Sequence, residues 1–272
     1  MKKLLKSALL IALSVTLLAG CTAKGEDAAP ASQEKTLVVG ATPVPHSEIL
    51  EFIKPQLEEK GIKLEIKEFN DYVTPNLALS EGELDANFFQ HAPYMDDFAA
   101  KNNIEIVSAG NVHVEPMAGY SKSIKDLQAL EDGAAVAIPN DPTNEGRALL
   151  LLQSQGIIEL KDNASLSQTP NDIVKNEKNL SFKELDAAQL PRVLDDVELA
   201  VINTNYALKA GMNPLNDSLF IEGKDSPYAN IVTVRDGDTE REDIKTLMEV
   251  LNSEEVKKFI EEKYEGAIIP AF

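Results

Sequence analysis

Arg147 closes a stretch whose residue types suit anion binding: Ile138-Pro139-Asn140-Asp141-Pro142-Thr143-Asn144-Glu145-Gly146-Arg147. Gly133 to Ile138 is small and apolar with turn residues on both sides, as a short buried strand is. Ala148 to Leu152 continues as a helix. Asn144 is read as the N-cap, which puts Arg147 in the first helical turn. A helix N-terminus offers free N–H groups and a positive partial charge. A guanidinium beside it makes a site for a small carboxylate. Taken alone, the stretch also reads as an ordinary capped helix whose Arg faces solvent.

Three further polar-aromatic clusters follow predicted strands. They are Asn70-Asp71-Tyr72, Phe88-Phe89-Gln90-His91-Ala92-Pro93-Tyr94 and Asn203-Thr204-Asn205-Tyr206. Only 6% of the residues are aromatic and none is Trp, so Phe88, Phe89 and Tyr94 form a local concentration that suits a pocket wall. Catalysis has less to work with. There is no Gly-x-Ser-x-Gly elbow, His-Glu-x-x-His or phosphate loop. The histidines are His46, His91 and His113. His113 and Glu115 share one strand face, so a metal set of His91, His113 and Glu115 is an alternative reading. The favoured reading has no metal, no cofactor and no enzyme activity.

The elements that must position these residues alternate between strand and helix. Strand 37–41 precedes a helix capped by Ser47 and running to about Lys60, with Ile49, Leu50, Ile53 and Leu57 on one face. Strand 62–67, a short helix from Thr74 to Gly82, strand 84–87 and helix 92–102 follow. Residues 104–107 and 111–121 are extended. This is the rhythm of a parallel, doubly wound sheet. A second set comprises strand 134–138, helix 145–155, a strand or loop at 165–169, helix 170–177, strand 180–184, helix 187–195 and strand 198–202. Strand 228–235 and one long helix from about 242 to 264 complete the chain. Open α/β sheets bind ligands beyond the C-terminal ends of their strands. Clusters from two sets at such edges describe a cleft between two lobes. The expected crossings lie near Tyr120–Ser123 and Ser226–Ala229.

The N-terminus supplies an address. Lys2, Lys3 and Lys6 precede an apolar run from about Ala8 to Ala19, too short for a mature membrane span. It ends Leu18-Ala19-Gly20-Cys21, which resembles a bacterial lipobox with Cys21, the only cysteine, as the lipidated residue. Residues 1–20 are therefore a signal peptide, and residues 21–35 a lipidated cysteine with a flexible tether. Fourteen extended residues reach at most about 45–50 Å. The 272 residues, 43% of them hydrophobic, can form two lobes with buried cores. These are expected at 36–121 with 229–272, and at 122–228. A formal charge of −19 argues against nucleic acid as a partner and for a soluble monomer.

Longer motifs carry a family resemblance. They include Phe69-Asn70-Asp71-Tyr72-Val73, Asp85-Ala86-Asn87-x-Phe89-Gln90-His91-x-Pro93-Tyr94, Ala118-Gly119-Tyr120-Ser121 and Pro139-Asn140-Asp141-Pro142-Thr143-Asn144-x-Gly146-Arg147. Ala188-Gln189-Leu190-Pro191-Arg192, Ala200-Val201-Ile202-Asn203 and Ser226-Pro227-Tyr228-x-Asn230 continue them. Together these resemble the methionine-binding lipoproteins of bacterial ABC-type importers, from Lys35 to the C-terminus. The resemblance implies the two-lobed periplasmic-binding-protein fold with two crossovers. It implies that Tyr72, Phe89, His91 and Tyr94 wall a thioether pocket. It also implies that Asn144, Arg147, Asn203 and Asn230 hold the amino acid's charged end. Implied partners are L-methionine, D-methionine or a methionine-containing dipeptide, an importer permease with its ATPase, and the extracytoplasmic face of the cell membrane. The family pattern assigns Phe88 no role, and no matched acid pairs the ammonium.

Overall fold

Lys35–Ala41 (β1) buries Leu37, Val39 and Ala41 against Glu48–Glu59 (α1). The helix presents Ile49, Leu50, Ile53 and Leu57 on one face, all fully buried. Each such side chain contributes about 1.5–3 kcal/mol, so this face is what holds α1 to the sheet. Gly61, at φ +77°, follows the helix in the left-handed conformation that a Cβ disfavours. The structure is a computed structural model that describes residues 35–162, 165–223 and 226–272. The apolar run, Cys21 and all but the last residue of the tether lie outside the described residues. Among the described residues, no helix is long and apolar enough to cross a membrane.

The first sheet continues through Ile62–Glu68 (β2), Thr74–Ser80 (α2), Ala86–His91 (β3), Ala92–Asn102 (α3) and Ile106–Val114 (β4). Ala118–Tyr120 (β5) opens the second sheet, followed by Ala135–Pro139 (β6) and Pro142–Ser154 (α4). A small hairpin, Glu159–Leu160 (β7) with Ile173–Lys175 (β8), precedes Ser181–Leu185 (β9), Leu199–Ile202 (β10), Thr204–Lys209 (α5) and Phe220–Ile221 (β11). Ala229–Arg235 (β12), Glu242–Leu251 (α6), Glu254–Tyr264 (α7) and Ile269–Pro270 (β13) return to the first sheet. The strand orders are β13-β4-β12-β3-β1-β2 and β11-β5-β10-β6-β9. Each sheet has its own apolar core, with α1, α6 and α7 over the first and Leu149 and Leu152 of α4 in the second.

The sheets are mixed rather than wholly parallel. β1 runs parallel to β2 and β3, and β6 runs parallel to β9 and β10. The strands next to the crossings run antiparallel: β5 against β10, and β12 against both β3 and β4. A chain that enters a sheet at the strands' C-terminal edge can only run back along it. The chain leaves the first sheet through Glu115-Pro116-Met117, earlier than the expected crossing at Tyr120–Ser123. Ala118–Tyr120 satisfies its backbone against β10 and β11 instead. The return passage lies between β11 and β12.

Other expected elements are revised. β3 extends to His91, so Phe88 to His91 lie within the strand instead of after it. Phe88 is core, its ring centre 4.6 Å from that of His46 and the two rings nearly perpendicular. Residues 165–169 are loop, one of the two readings expected there. The expected helix 170–177 is one tight turn, Pro170–Asp172, leading into β8. There the Asp172 side chain binds the Thr169 N–H and closes the turn. Helix 187–195 is a short 3₁₀ segment, Ala187–Arg192, with Pro191 inside it. The long terminal helix is two, because Ser253 caps α7 by accepting from the Val256 N–H.

Candidate functional site

Asp141, not Asn144, caps α4. Its carboxylate accepts from the Asn144 N–H at 3.0 Å and the Thr143 hydroxyl at 3.1 Å. The helix therefore starts at Pro142, a favoured first-turn residue, and Arg147 falls in the second turn. The expected alliance of Arg147 with the free N–H groups of the helix end is not made.

The slip of cap gives Asn144 a defined orientation. Its amide nitrogen donates to both Asp141 oxygens, each at 3.0 Å. Its carbonyl then accepts from the His91 Nε2 at 3.1 Å and from the Asn203 amide at 2.8 Å. His91 Nδ1 accepts from the Tyr94 N–H at 3.2 Å, so the neutral ring carries its proton on Nε2. Burial, followed by the Arg147 charge, lowers the His91 pKa to about 3, which keeps the ring neutral. His91 of β3 and Asn203, which follows β10, thus meet on the carbonyl oxygen of Asn144 in α4. Asn203 donates with its nitrogen, while its Oδ1 is buried and has no partner among the described residues. An orphaned acceptor of this kind suits a ligand's N–H donor.

Arg147 is buried and donates through Nη2 to the Glu115 carbonyl at 2.8 Å. Its Nε donates to Glu222 Oε1 at 3.1 Å, and Nη2 also pairs with Glu222 Oε2. The guanidinium lies over the Tyr228 ring, 4.3 Å from its centre. The Tyr228 ring in turn sits 5.0 Å from the His91 ring. Among the described residues, only Nη1 of the guanidinium is without a partner.

Asn230 reaches the same edge because β12 pairs it with His91 of β3 and His113 of β4. Its Oδ1 accepts from His46 Nε2 at 3.0 Å. His46 also contacts Glu115 Oε1 at 3.1 Å and takes the Thr42 hydroxyl on Nδ1 at 2.7 Å. His113 Nε2 donates to the same Glu115 oxygen at 2.8 Å. Burial lowers the pKa of His46 to about 4 and of His113 to about 3, and pushes the Glu115 carboxyl up. The alternative metal set is therefore revised. His91 is held elsewhere, and the group that converges is His46, His113 and Glu115, with ligand-type atoms within 4.8 Å of one another. Hydrogen bonds among the three already account for that convergence.

Tyr72, Phe89 and Tyr94 come together as neighbouring rings. The Tyr72 ring lies 5.8 Å from Phe89 and 5.7 Å from Tyr94, and the Tyr94 hydroxyl donates to the Tyr72 carbonyl at 2.9 Å. The Tyr72 hydroxyl crosses to the second sheet and donates to Asn205 Oδ1 at 2.6 Å. Lys209 likewise crosses to the Asn70 side chain. The two edges are thus in direct contact, as in a closed cleft. Glu222 and His46 lie in no motif of the sequence, whereas Asn205 lies in the cluster that follows β10. Tyr228 stood inside a recognised motif, but no role was given to it.

The sequence profile described as NlpA lipoprotein matches residues 37–272. The chain belongs to this family. A relative from Vibrio cholerae, the probable D-methionine-binding lipoprotein MetQ, is 44% identical over 271 residues, 99% of each chain. A nutrient-binding protein from Burkholderia cenocepacia, solved bound to methionine, is 46% identical and covers 87% of this chain and 100% of its own, with a TM-score of 0.84. A periplasmic substrate-binding protein of an ABC transporter from Coxiella burnetii is 44% identical over 86% of this chain and 100% of its own, at a TM-score of 0.83. The NlpA lipoprotein fold is thus the periplasmic-binding-protein type. The names of these relatives describe lipoproteins and binding proteins rather than enzymes.

Proposed function

We propose that this chain captures methionine between its two sheets and delivers it to an ABC importer, a permease with its ATPase. The observation that carries this reading is one edge with two characters. On one side Arg147, whose bonds run through Nε and Nη2, leaves Nη1 as a donor, and Asn203 keeps a buried acceptor for a zwitterion's other end. On the other, Tyr72, Phe89 and Tyr94 offer apolar faces and edges to an unbranched thioether. In this reading Arg147 takes the carboxylate, Asn203 and Asn230 take the ammonium, Asn144 orients His91 and Asn203 through its carbonyl, and Tyr72, Phe89, His91 and Tyr94 take the side chain. The lobes close around the ligand, one built on β1–β4 with β12 and β13, the other on β5–β11. Cys21 holds the protein by its acyl chains at the extracytoplasmic face of the membrane.

Competition calorimetry on ligand-stripped protein, without added metal, tests the pocket. Norleucine replaces sulfur by CH₂ and loses chiefly the sulfur–aromatic contact, about 0.3–1.5 kcal/mol, or roughly two- to thirteenfold. Methionine sulfoxide buries an unpaired oxygen at a cost of about 1–3 kcal/mol. Leucine, shorter and branched, falls well behind methionine. Including both enantiomers decides whether L- or D-methionine is preferred. Equal affinity for methionine and its sulfoxide would remove these aromatics from the ligand.

A further inference from the structure

Glu222 pairs with Arg147 at the charged end of the proposed site. It sits just after β11, and that short strand's pairing with β5 sets its position. Its backbone N–H donates to the Met117 carbonyl at 2.8 Å, and the Met117 N–H donates back to Glu222 Oε2 at 3.2 Å. Both carboxylate oxygens face Arg147. The Arg147 side chain is 3% exposed and that of Glu222 15% exposed. Such a bidentate, largely desolvated pair uses one whole edge of the guanidinium. The Glu115 carbonyl takes a further N–H. His46 and His113, both kept neutral by burial and bound to the Glu115 carboxyl, contribute no positive charge to the neighbourhood.

From this charge count we infer that Glu222 is a specificity-determining residue that makes the site select a zwitterion and reject an anion. The inference rests on the proposed amino-acid site. Arg147 alone would attract any small carboxylate. With Glu222 clamped to it, the pair is neutral as a unit. An incoming carboxylate meets the Nη1 donor but no net positive charge. It is accepted only when it brings its own ammonium, which the Asn203 acceptor and the Glu222 carboxylate then favour. At an effective dielectric of about 20, like charges on the order of 6 Å apart across one guanidinium change binding by roughly a hundredfold.

The test uses the full chain in detergent, stripped of ligand, and three compounds measured by calorimetry. Methionine is the zwitterion, desamino-methionine the anion and methioninamide the cation. The native protein should bind methionine at least about tenfold more tightly than desamino-methionine. In Glu222→Gln, the preference for methionine over desamino-methionine should fall at least about tenfold, while methioninamide should weaken relative to methionine. A thermal melt of the variant establishes that it is folded, and the native arm needs no variant at all. A purely positional role for Glu222 would weaken all three compounds by the same factor, and that result overturns the inference. Equal tightening of all three would make Glu222 a competitor for Arg147 and also overturns it. If the native protein binds desamino-methionine as well as methionine, charge selection is absent. Failure of the native protein to bind methionine would instead refute the proposed function itself.

Discussion

Arg147→Ala separates what this residue does for the fold from what it does for the ligand. In the native chain its guanidinium holds both Glu222 oxygens, the Glu115 carbonyl and the Tyr228 face. Truncation leaves a carboxylate that is only 15% exposed without a counter-charge. Breaking one side of a buried pair costs about 3–5 kcal/mol, and the partial exposure of Glu222 puts this case near the lower end. The cation–π contact adds about 0.5–2 kcal/mol. The ligand suffers separately, because its carboxylate loses the one cationic donor in the site. By analogy with truncated charge pairs the loss is about 2–5 kcal/mol, thirtyfold to several thousandfold in Kd. The double variant Arg147→Ala, Glu222→Gln removes the stranded charge, so it should recover most of the stability and none of the affinity. Thermal melts read the first effect and titration calorimetry the second. A double variant no more stable than the single one would refute the stranded-charge account. A loss of affinity under about twofold in either would take Arg147 out of the site.

Three other outcomes follow from named contacts. Glu145 is 5% exposed, has one buried oxygen without a partner among the described residues, and is raised from 4.5 to about 7 by burial and by Glu184, Asp141 and Asp172. Its contribution is fully present below about pH 4.5 and lost as pH rises through 7. Glu145→Gln should therefore match the native protein near pH 4 and exceed it by up to about 3 kcal/mol at pH 8, read by paired melts. A Cβ on Gly146 would lie 2.1 Å from the Leu166 carbonyl oxygen, so Gly146→Ala should cost about 1–3 kcal/mol or more and lower the melting temperature. An unchanged midpoint would show that the 165–168 segment yields freely. Cys21→Ser should release folded, methionine-competent protein into the soluble fraction, since membrane retention needs more than one acyl chain at about 0.8 kcal/mol per buried CH₂. Retention of that variant with normal processing would mean that another anchor exists.

Much of this molecule follows from local chemistry. The period-3.6 face of α1, the punctuation by Gly61 and Gly82, and the strand runs at β1, β2, β6 and β10 are short-range patterns, and they formed where the residues indicated. Their C-terminal ends then carry Tyr72, Asn144 and Asn203 to a common edge, because a strand–helix alternation leaves its loops there. Errors arose where two local readings competed. Asp141 and Asn144 are both good caps, and Pro142 decided for the first because proline suits the turn that follows. Residues 242–264 carry helical periodicity throughout, and the break at Ser253 rests on a single hydroxyl.

What tertiary structure alone decided is which distant residues share a charge. Glu222 lies 75 positions from Arg147, in a segment without a motif, and meets it only because β11 pairs with β5 beside Met117. His46, Asn230 and Glu115 come from three separate segments and meet through the pairing of β1 with β3 and the register of β12 with β3 and β4. Shifting any of these pairings by one residue would turn the side chains to the opposite face. The sequence by itself therefore determined the donors and acceptors at the cleft edge and the aromatics beside them. The charge balance of the site was decided by strand register, a long-range property that no local spacing encodes.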